Sequence, residues 1–316
     1  MMPDVETNRL TAWGTGICPY DTAHMVPTWP RAGEKLDALK TVRGGGGPVP
    51  TAMAVVSRLG DRAAFVGCVG DDPPGRVVRD DLERRGVDVS GLRVVAGARS
   101  AAATLIVEKD TGRRTAIFDH GDVPAPETSD EWLDAHPARF LLLDARAELK
   151  PGSLARRAQE RGAEVVLDVG SPREPDAASW ETADHLILAM GFARWKTGRT
   201  DPESAGARLW RDGLKSLVIT LGARGCYFFT PEASLFHPAF RVPVEDVTGA
   251  GDVFHGAYIY ALARDEWSWF ERIRFASAAA ALACRKLGVR GSLPTLGEIE
   301  ALMAEQSGDG DSEELA

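Results

Sequence analysis

The sequence predicts an α/β fold built on a mostly parallel sheet, with a small β appendage. Short β-branched runs alternate with longer amphipathic stretches at the spacing of βαβ units. With 316 residues, 44% hydrophobic and 26% charged, the chain can bury a large core. One segment, residues 93–120, breaks the rhythm with two β-like runs joined by Lys109-Asp110-Thr111-Gly112, a hairpin signal.

Taken in order, residues 63–69 (AAFVGCV) read as a strand. Residues 75–85 read as a helix, because Val77, Val78 and Leu82 share one face with Arg and Asp opposite. Residues 140–143 form an apolar run ending at Asp144. Residues 154–161 are helical, and 165–169, 186–189 and 217–221 are strands. Residues 22–42 are polar, dotted with proline and short of helical periodicity. With 93–120 they form the irregular part of the chain; a hairpin inside one continuous sheet would carry the same pattern as a separate appendage. Residues 1–304 read as one unit, and 305–316, with five acids and no base, as a solvated, disordered tail.

Net charge is −9, and removing the tail's five charges leaves −4, with no clustered basic surface of the kind nucleic acid requires. No run of about 18 apolar residues exists for a membrane helix. The N-terminal MMPDVETNRL lacks the apolar block of a secretory signal. Cys18, Cys68, Cys226 and Cys284 are scattered, without a CxxC pair, so neither a thiolate metal site nor a disulfide framework is expected. Free thiols fit a reducing cytoplasm.

Three glycine-rich segments could approach a ligand. Gly14-Thr-Gly16 starts a dinucleotide fingerprint, but Pro19 occupies the third glycine position, which argues against a Rossmann dehydrogenase. Gly44 to Gly47, then Pro48-Val-Pro-Thr51 and an apolar helix, lacks the Lys-Ser/Thr of a Walker loop. It reads equally as a flexible linker or as backbone close to a ligand. The strongest is Asp246-Val-Thr248-Gly249-Ala250-Gly251-Asp252 before a helix-competent run at 253–263. Small residues there leave the first N–H groups bare, with the helix dipole behind them, as an anion site. Asp252 either complements the dipole or acts as a base toward an alcohol.

At DVTGAGD the chain resembles the ribokinase-like (PfkB) carbohydrate kinases, whose C-terminal signature is D-T-x-G-A-G-D. Other segments agree in order. Gly16 to Asp21 is similar to the sugar-contacting G-x-x-x-x-D, and the glycine run before Arg58-Leu59-Gly60 to the first signature. Residues 65–75 resemble G-x-V-G-x-D-x-x-G, and Thr220-Leu-Gly222-Ala-Arg-Gly225 resembles the nucleotide-side T-x-G-x-x-G turn. Residues 275–282, with Pro294, Thr295 and Glu298 beyond, resemble the C-terminal helix and ending. The resemblance covers about residues 12–303. Within the family, GGGGPxxT, Asp144-Ala-Arg146 and HPAFRVPVEDVTGAGDVFHGA are nearest to the sulfofructose kinase branch.

The resemblance implies a doubly wound sheet with helices on both faces and a β lid formed by about 22–42 and 93–120. It implies an ATP- and Mg²⁺-dependent phosphotransferase with a small sugar as acceptor, with a monovalent cation left open. Asp252 would be the base, and Gly249, Ala250 and Gly251 would offer N–H groups to the transferring phosphoryl. Asp21 and the backbone of Gly45, Gly46 and Gly47 would hold sugar hydroxyls. Thr220, Gly222, Gly225, Thr248 and Ser277 would serve the nucleotide. A homodimer through the lid edges would cover an open β-edge.

Three departures stand out. Thr51 replaces the family's sugar-binding asparagine, which alters the expected hydroxyl pattern. Ser277 replaces an asparagine. Ala189-Met190-Gly191-Phe192 lacks the acid that would assist Mg²⁺, which leaves Asp168, at a strand end, as the candidate ligand. Arg146, just past a strand's C-terminal end, could hold a carboxylate, phosphate or sulfonate by a forked contact, or be a surface arginine. His255 reads as a packed core histidine. Two rival functions remain: a sugar- or nucleotide-binding protein with catalysis lost, suggested by Gly191, and a nucleoside kinase, for which residues 93–120 offer only Phe118 as a stacking group.

Overall fold

The computed structural model describes residues 9–146, 152–288 and 290–306. Nine strands form the main sheet, in the order Leu92–Val95, Ala63–Gly70, Leu10–Thr15, Ala138–Asp144, Glu164–Val169, His185–Ala189, Ser216–Thr220, Cys226–Phe229, Ser234–His237. The first seven pair in parallel, and the last two close one edge antiparallel. The order reverses beside Leu10–Thr15. From there the chain builds outward to one edge, then returns to Ala138–Asp144 and builds to the other.

Strand periodicity makes both faces apolar. Phe140 and Leu142 enter one core with helices Pro48–Arg58, Ala250–Leu262 and Trp269–Ala283. Leu141 and Leu143 enter a second core with helices Gly152–Gln159, Met190–Thr197 and Pro202–Leu209. The sheet is therefore doubly wound. Among the described residues no helix is long and apolar enough to cross a membrane, and the cysteines are free.

A second sheet orders Lys40–Gly45, Tyr20–Val26, Ala102–Glu108 and Arg114–Asp119. Its inner pair is parallel and its two outer pairs antiparallel. Ala23, Met25, Leu105, Val107 and Leu287 give it a small core of its own. The irregular 22–42 segment thus contributes strands at both ends. The lid boundary at 93 needs correction. Leu92–Val95 pairs parallel with Ala63–Gly70 and extends the main sheet, so the second lid segment starts at Ala102. A strand following a helix joins its predecessor by a right-handed crossover, and its β pattern alone does not reveal which sheet it joins.

The lid turn reaches the main domain. Val247 N–H donates to the Gly112 carbonyl at 3.3 Å, and Lys40 pairs with Glu245 at 2.7 Å. The last described helix, Leu296–Glu305, begins with a Thr295–Glu298 capping box and includes the first residue assigned to the tail. Residues 307–316, where the rest of that tail falls, lie outside the described residues.

Candidate active site

The C-terminal ends of the parallel strands open onto a cavity of about 490 Å³, next to the point where strand order reverses. Its walls carry the carboxylates Asp21, Asp144, Asp168 and Asp252, and the guanidiniums Arg114, Arg146 and Arg173. The lid covers it through Ala103, Leu105, Ala116 and Phe118.

The loop before Ala250–Leu262 is set by one carboxylate. Asp246 Oδ1 accepts the Thr248 N–H at 2.8 Å and the Thr248 hydroxyl at 2.5 Å. Asp246 Oδ2 accepts the Gly288 N–H at 3.0 Å. Gly249 then takes a left-handed φ of 77°, which a side chain would resist. The helix's first i to i−4 bond runs from Val253 N–H to the Gly249 carbonyl at 2.8 Å. Gly249, Gly251 and Asp252 therefore stand on the cavity wall at a helix N-terminus whose leading donors precede that ladder. Ala250 is a correction: its N–H points at the Val247 carbonyl, 3.3 Å away, and it does not line the cavity.

The carboxyls are electrostatically strained. Burial pushes Asp252 above its ordinary range, while His255, Arg114 and Arg290 pull it back. Burial, then the charge of Asp252, brings Asp168 to about 8. Burial brings Asp21 to about 7, against the pull of Arg290 and Arg114 and with a further push from Asp252.

His255 also lies on the cavity wall, which corrects its reading as a core residue. Its Nδ1 meets the Gly251 carbonyl at 2.6 Å and must donate there, since a carbonyl only accepts. That leaves Nε2 facing Asp168 Oδ1 at 3.4 Å. Burial pushes the histidine down, so the neutral ring is favoured.

Arg146 also lines the cavity. Its N–H donates to Asp144 Oδ1 at 3.2 Å, its Nε lies 3.7 Å from Asp144 Oδ2, and its guanidinium stands 5.6 Å from the Phe118 ring centre. It also lines a second cavity of about 280 Å³ with Ile17, Cys18, Cys68 and His120.

Other expected residues are placed differently. Asp21, Gly47, Thr220 and Thr248 line the main cavity. Thr51 does not. It is fully buried, and its hydroxyl accepts Arg290 Nε at 3.1 Å, so the sugar contact assigned to it is corrected. Gly45 and Gly46 lie behind the wall rather than on it. Ser277 is buried in the core, 3.9 Å from Cys226 Sγ, which corrects its nucleotide role. Gly222 and Gly225 bound the short turn after Thr220, closed by Leu221 N–H to the Gly225 carbonyl at 2.8 Å. Gly191 is exposed and would have nothing within 4 Å of a Cβ. Sequence reasoning missed Arg114, Arg173, Asp246 as the loop clip, and Arg290. Asp144 carries two sequence signals, its place at a strand terminus and in the Asp144-Ala-Arg146 segment, but neither assigns it a site role.

No group of three or more His, Cys, Asp or Glu among the described residues could hold a metal. Buried Asp168, whose proton affinity the charge of Asp252 raises further, and half-buried Asp252 instead fit a divalent ion carried by phosphates, which needs only one or two protein carboxylates.

Comparison with known proteins agrees with this geometry. Residues 15–296 match the pfkB family carbohydrate kinase model. Fructokinase-1 of Zea mays is 32% identical over 290 residues, covering 82% of this chain and 88% of the relative. The aminoimidazole riboside kinase of Salmonella typhimurium is 29% identical over 296 residues, covering 83% and 88%. The structure of Arabidopsis thaliana ribokinase complexed with ribose and ATP superposes with a TM-score of 0.80 at 24% identity, covering 93% of this chain and 99% of that one. With the fold, the helix N-terminus and the family match in agreement, the chain belongs to the pfkB family of carbohydrate kinases and is a sugar kinase, a phosphotransferase acting on a sugar hydroxyl.

Proposed function

We propose that the protein transfers the γ-phosphate of MgATP to a hydroxyl of a small sugar that carries an anionic group, with Asp252 as general base. The observation that carries this is one cavity holding Asp252 and a helix N-terminus on one wall and Arg146 on another. Asp252 takes the hydroxyl proton as the acceptor oxygen bonds to phosphorus and ADP leaves. The N–H groups at Gly249 and Gly251 hold the charge on the transferring group. Asp21 binds acceptor hydroxyls, and Thr220 and Thr248 serve the nucleotide side. Asp168 would be the chain's own ligand for Mg²⁺, which when bound would neutralise charge on the phosphates. Arg146 would take the acceptor's carboxylate, phosphate or sulfonate, which agrees with the sulfofructose kinase resemblance.

A second reading is a nucleoside kinase. The cavity of about 280 Å³ beyond Arg146 gives room for a base, lined in part by Ala101, Pro124 and Pro126, and one relative is named an aminoimidazole riboside kinase.

The test is ATP consumption with Mg²⁺ over neutral hexoses, pentoses, sugar acids, phosphosugars, sulfosugars and nucleosides. Turnover strongest on an anionic sugar supports the proposal. Turnover on neutral sugars alone removes the role of Arg146, and turnover on nucleosides alone installs the second reading. ATP binding without turnover on any member overturns the catalytic assignment.

A further inference from the structure

Arg290 is buried, with 4% of its surface exposed, yet it carries a guanidinium. Nη1 donates to Asp81 Oδ2 at 3.0 Å, Nε to the Thr51 hydroxyl at 3.1 Å, and Nη2 to the Gly46 carbonyl at 2.5 Å. The carboxylate it bonds among the described residues is shared: Arg85 lies 3.0 Å and Arg84 3.6 Å from the other Asp81 oxygen. Asp81 therefore does not neutralise Arg290 alone, and the excess charge acts on Asp21, whose proton affinity Arg290 lowers.

The glycine run fits around this group. A Cβ on Gly45 would stand 2.4 Å from Arg290 Nη1, and one on Gly46 would stand 2.0 Å from Asp21 Oδ2. Gly46 is held on both sides, its N–H donating to the Pro19 carbonyl at 2.8 Å and its carbonyl accepting from Arg290. The same chain segment holds the phosphate loop, since Gly288 N–H donates to Asp246 Oδ2 at 3.0 Å.

We propose that Arg290 is the positioning residue of the acceptor side: it fixes the backbone of Gly45 to Gly47, with Asp21 against it, in register with the Asp246-clipped loop that carries Asp252. Stability alone is a poor reason for such a group, because a buried ion pair replaced by well-packed apolar side chains is often neutral or stabilising. What an apolar residue cannot supply is three directed donors reaching two helices and the glycine run, which fix a loop in one place.

The kinetic arm of the test rests on the kinase reading; the exchange arm does not. Arg290→Met and Arg290→Lys are compared with the wild type in steady-state kinetics, using whichever acceptor the panel identifies, and in amide hydrogen exchange over residues 43–51. The expected result for Arg290→Met is an acceptor KM raised about tenfold with the ATP KM unchanged, and faster exchange at 45–47 with unchanged exchange in Glu164–Val169. Arg290→Lys restores part of both. An unchanged exchange pattern overturns the proposal, as does a loss in which both KM values stay constant and only the melting temperature falls. If Arg290→Met does not fold, Thr51→Val, which removes one acceptor, must show the same split at smaller size. A wild type that turns over no acceptor ends the kinase reading, and the exchange arm then decides the role of Arg290.

Discussion

The two ends of the main sheet treat a carboxylate in opposite ways. At the N-terminal ends of the strands, Glu164 meets His185 Nε2 at 2.9 Å and Lys215 Nζ at 2.9 Å. Burial pushes Glu164 up, but the hydrogen bonds from His185 and Lys215 outweigh it and bring it to about 2. His185 continues to Ser216 at 2.8 Å, and Ser216 to Tyr258 at 2.6 Å. At the C-terminal ends, buried Asp168 and half-buried Asp252 line one cavity, and burial with the charge of Asp252 brings Asp168 to about 8. One end uses charge to hold the fold together, while at the other burial outweighs the nearby cations and leaves carboxyls with raised proton affinity, as a site awaiting ligands does. The same residue chemistry means structure at one end and function at the other, and partners decide which.

Four experiments bear on that contrast. The largest effect is expected for Asp252→Asn, which should lower kcat about a thousandfold while ATP still binds in a calorimetric titration. Residual turnover near the wild-type rate would remove Asp252 as base. Next, Arg146→Ala should raise the KM of an anionic acceptor about ten- to a hundredfold and leave a neutral analogue nearly unaffected. Equal losses on both would make Arg146 a scaffold residue.

The third concerns pH and stability. Asp168 ionises near 3.8 when unfolded and near 8 when folded, so between those values the folded chain binds the extra proton. Its contribution therefore makes stability fall as pH rises from about 4 to 8. Asp21, at about 7 when folded, acts with the same sign. Glu164 has the opposite sign: its contribution is full above its ordinary value of 4.5 and is lost as pH falls toward 2. Urea midpoints from pH 4.5 to 8.5 should give a falling slope in the wild type that Asp168→Asn makes shallower. An unchanged slope would place the proton elsewhere. The smallest effect belongs to Glu164→Gln, which keeps an acceptor but loses the charge. We expect a loss of about 1 kcal/mol, read as a lower melting temperature, with kcat and both KM values intact.

Much of this was legible in the sequence where the signal is local. The apolar run ending at Asp144 marked a strand, and small residues before an apolar run marked the turn into the helix that carries Asp252. What failed depended on facing partners. Leu92–Val95 has a strand pattern that suits either sheet. Thr51 and Ser277 carry plausible hydroxyls, but the turn of each helix aims them at Arg290 and Cys226. Arg290 lies 239 residues from Thr51 and 209 from Asp81, and no spacing rule connects them.

The lid turn also has an energetic consequence. Gly112 receives the N–H of Val247, the residue between Asp246 and Thr248, and Glu245 holds Lys40 of the lid. A ligand held against the second sheet is therefore coupled to the loop that carries Asp252. Linkage makes the effect reciprocal: whatever factor by which the acceptor tightens the nucleotide, the nucleotide tightens the acceptor.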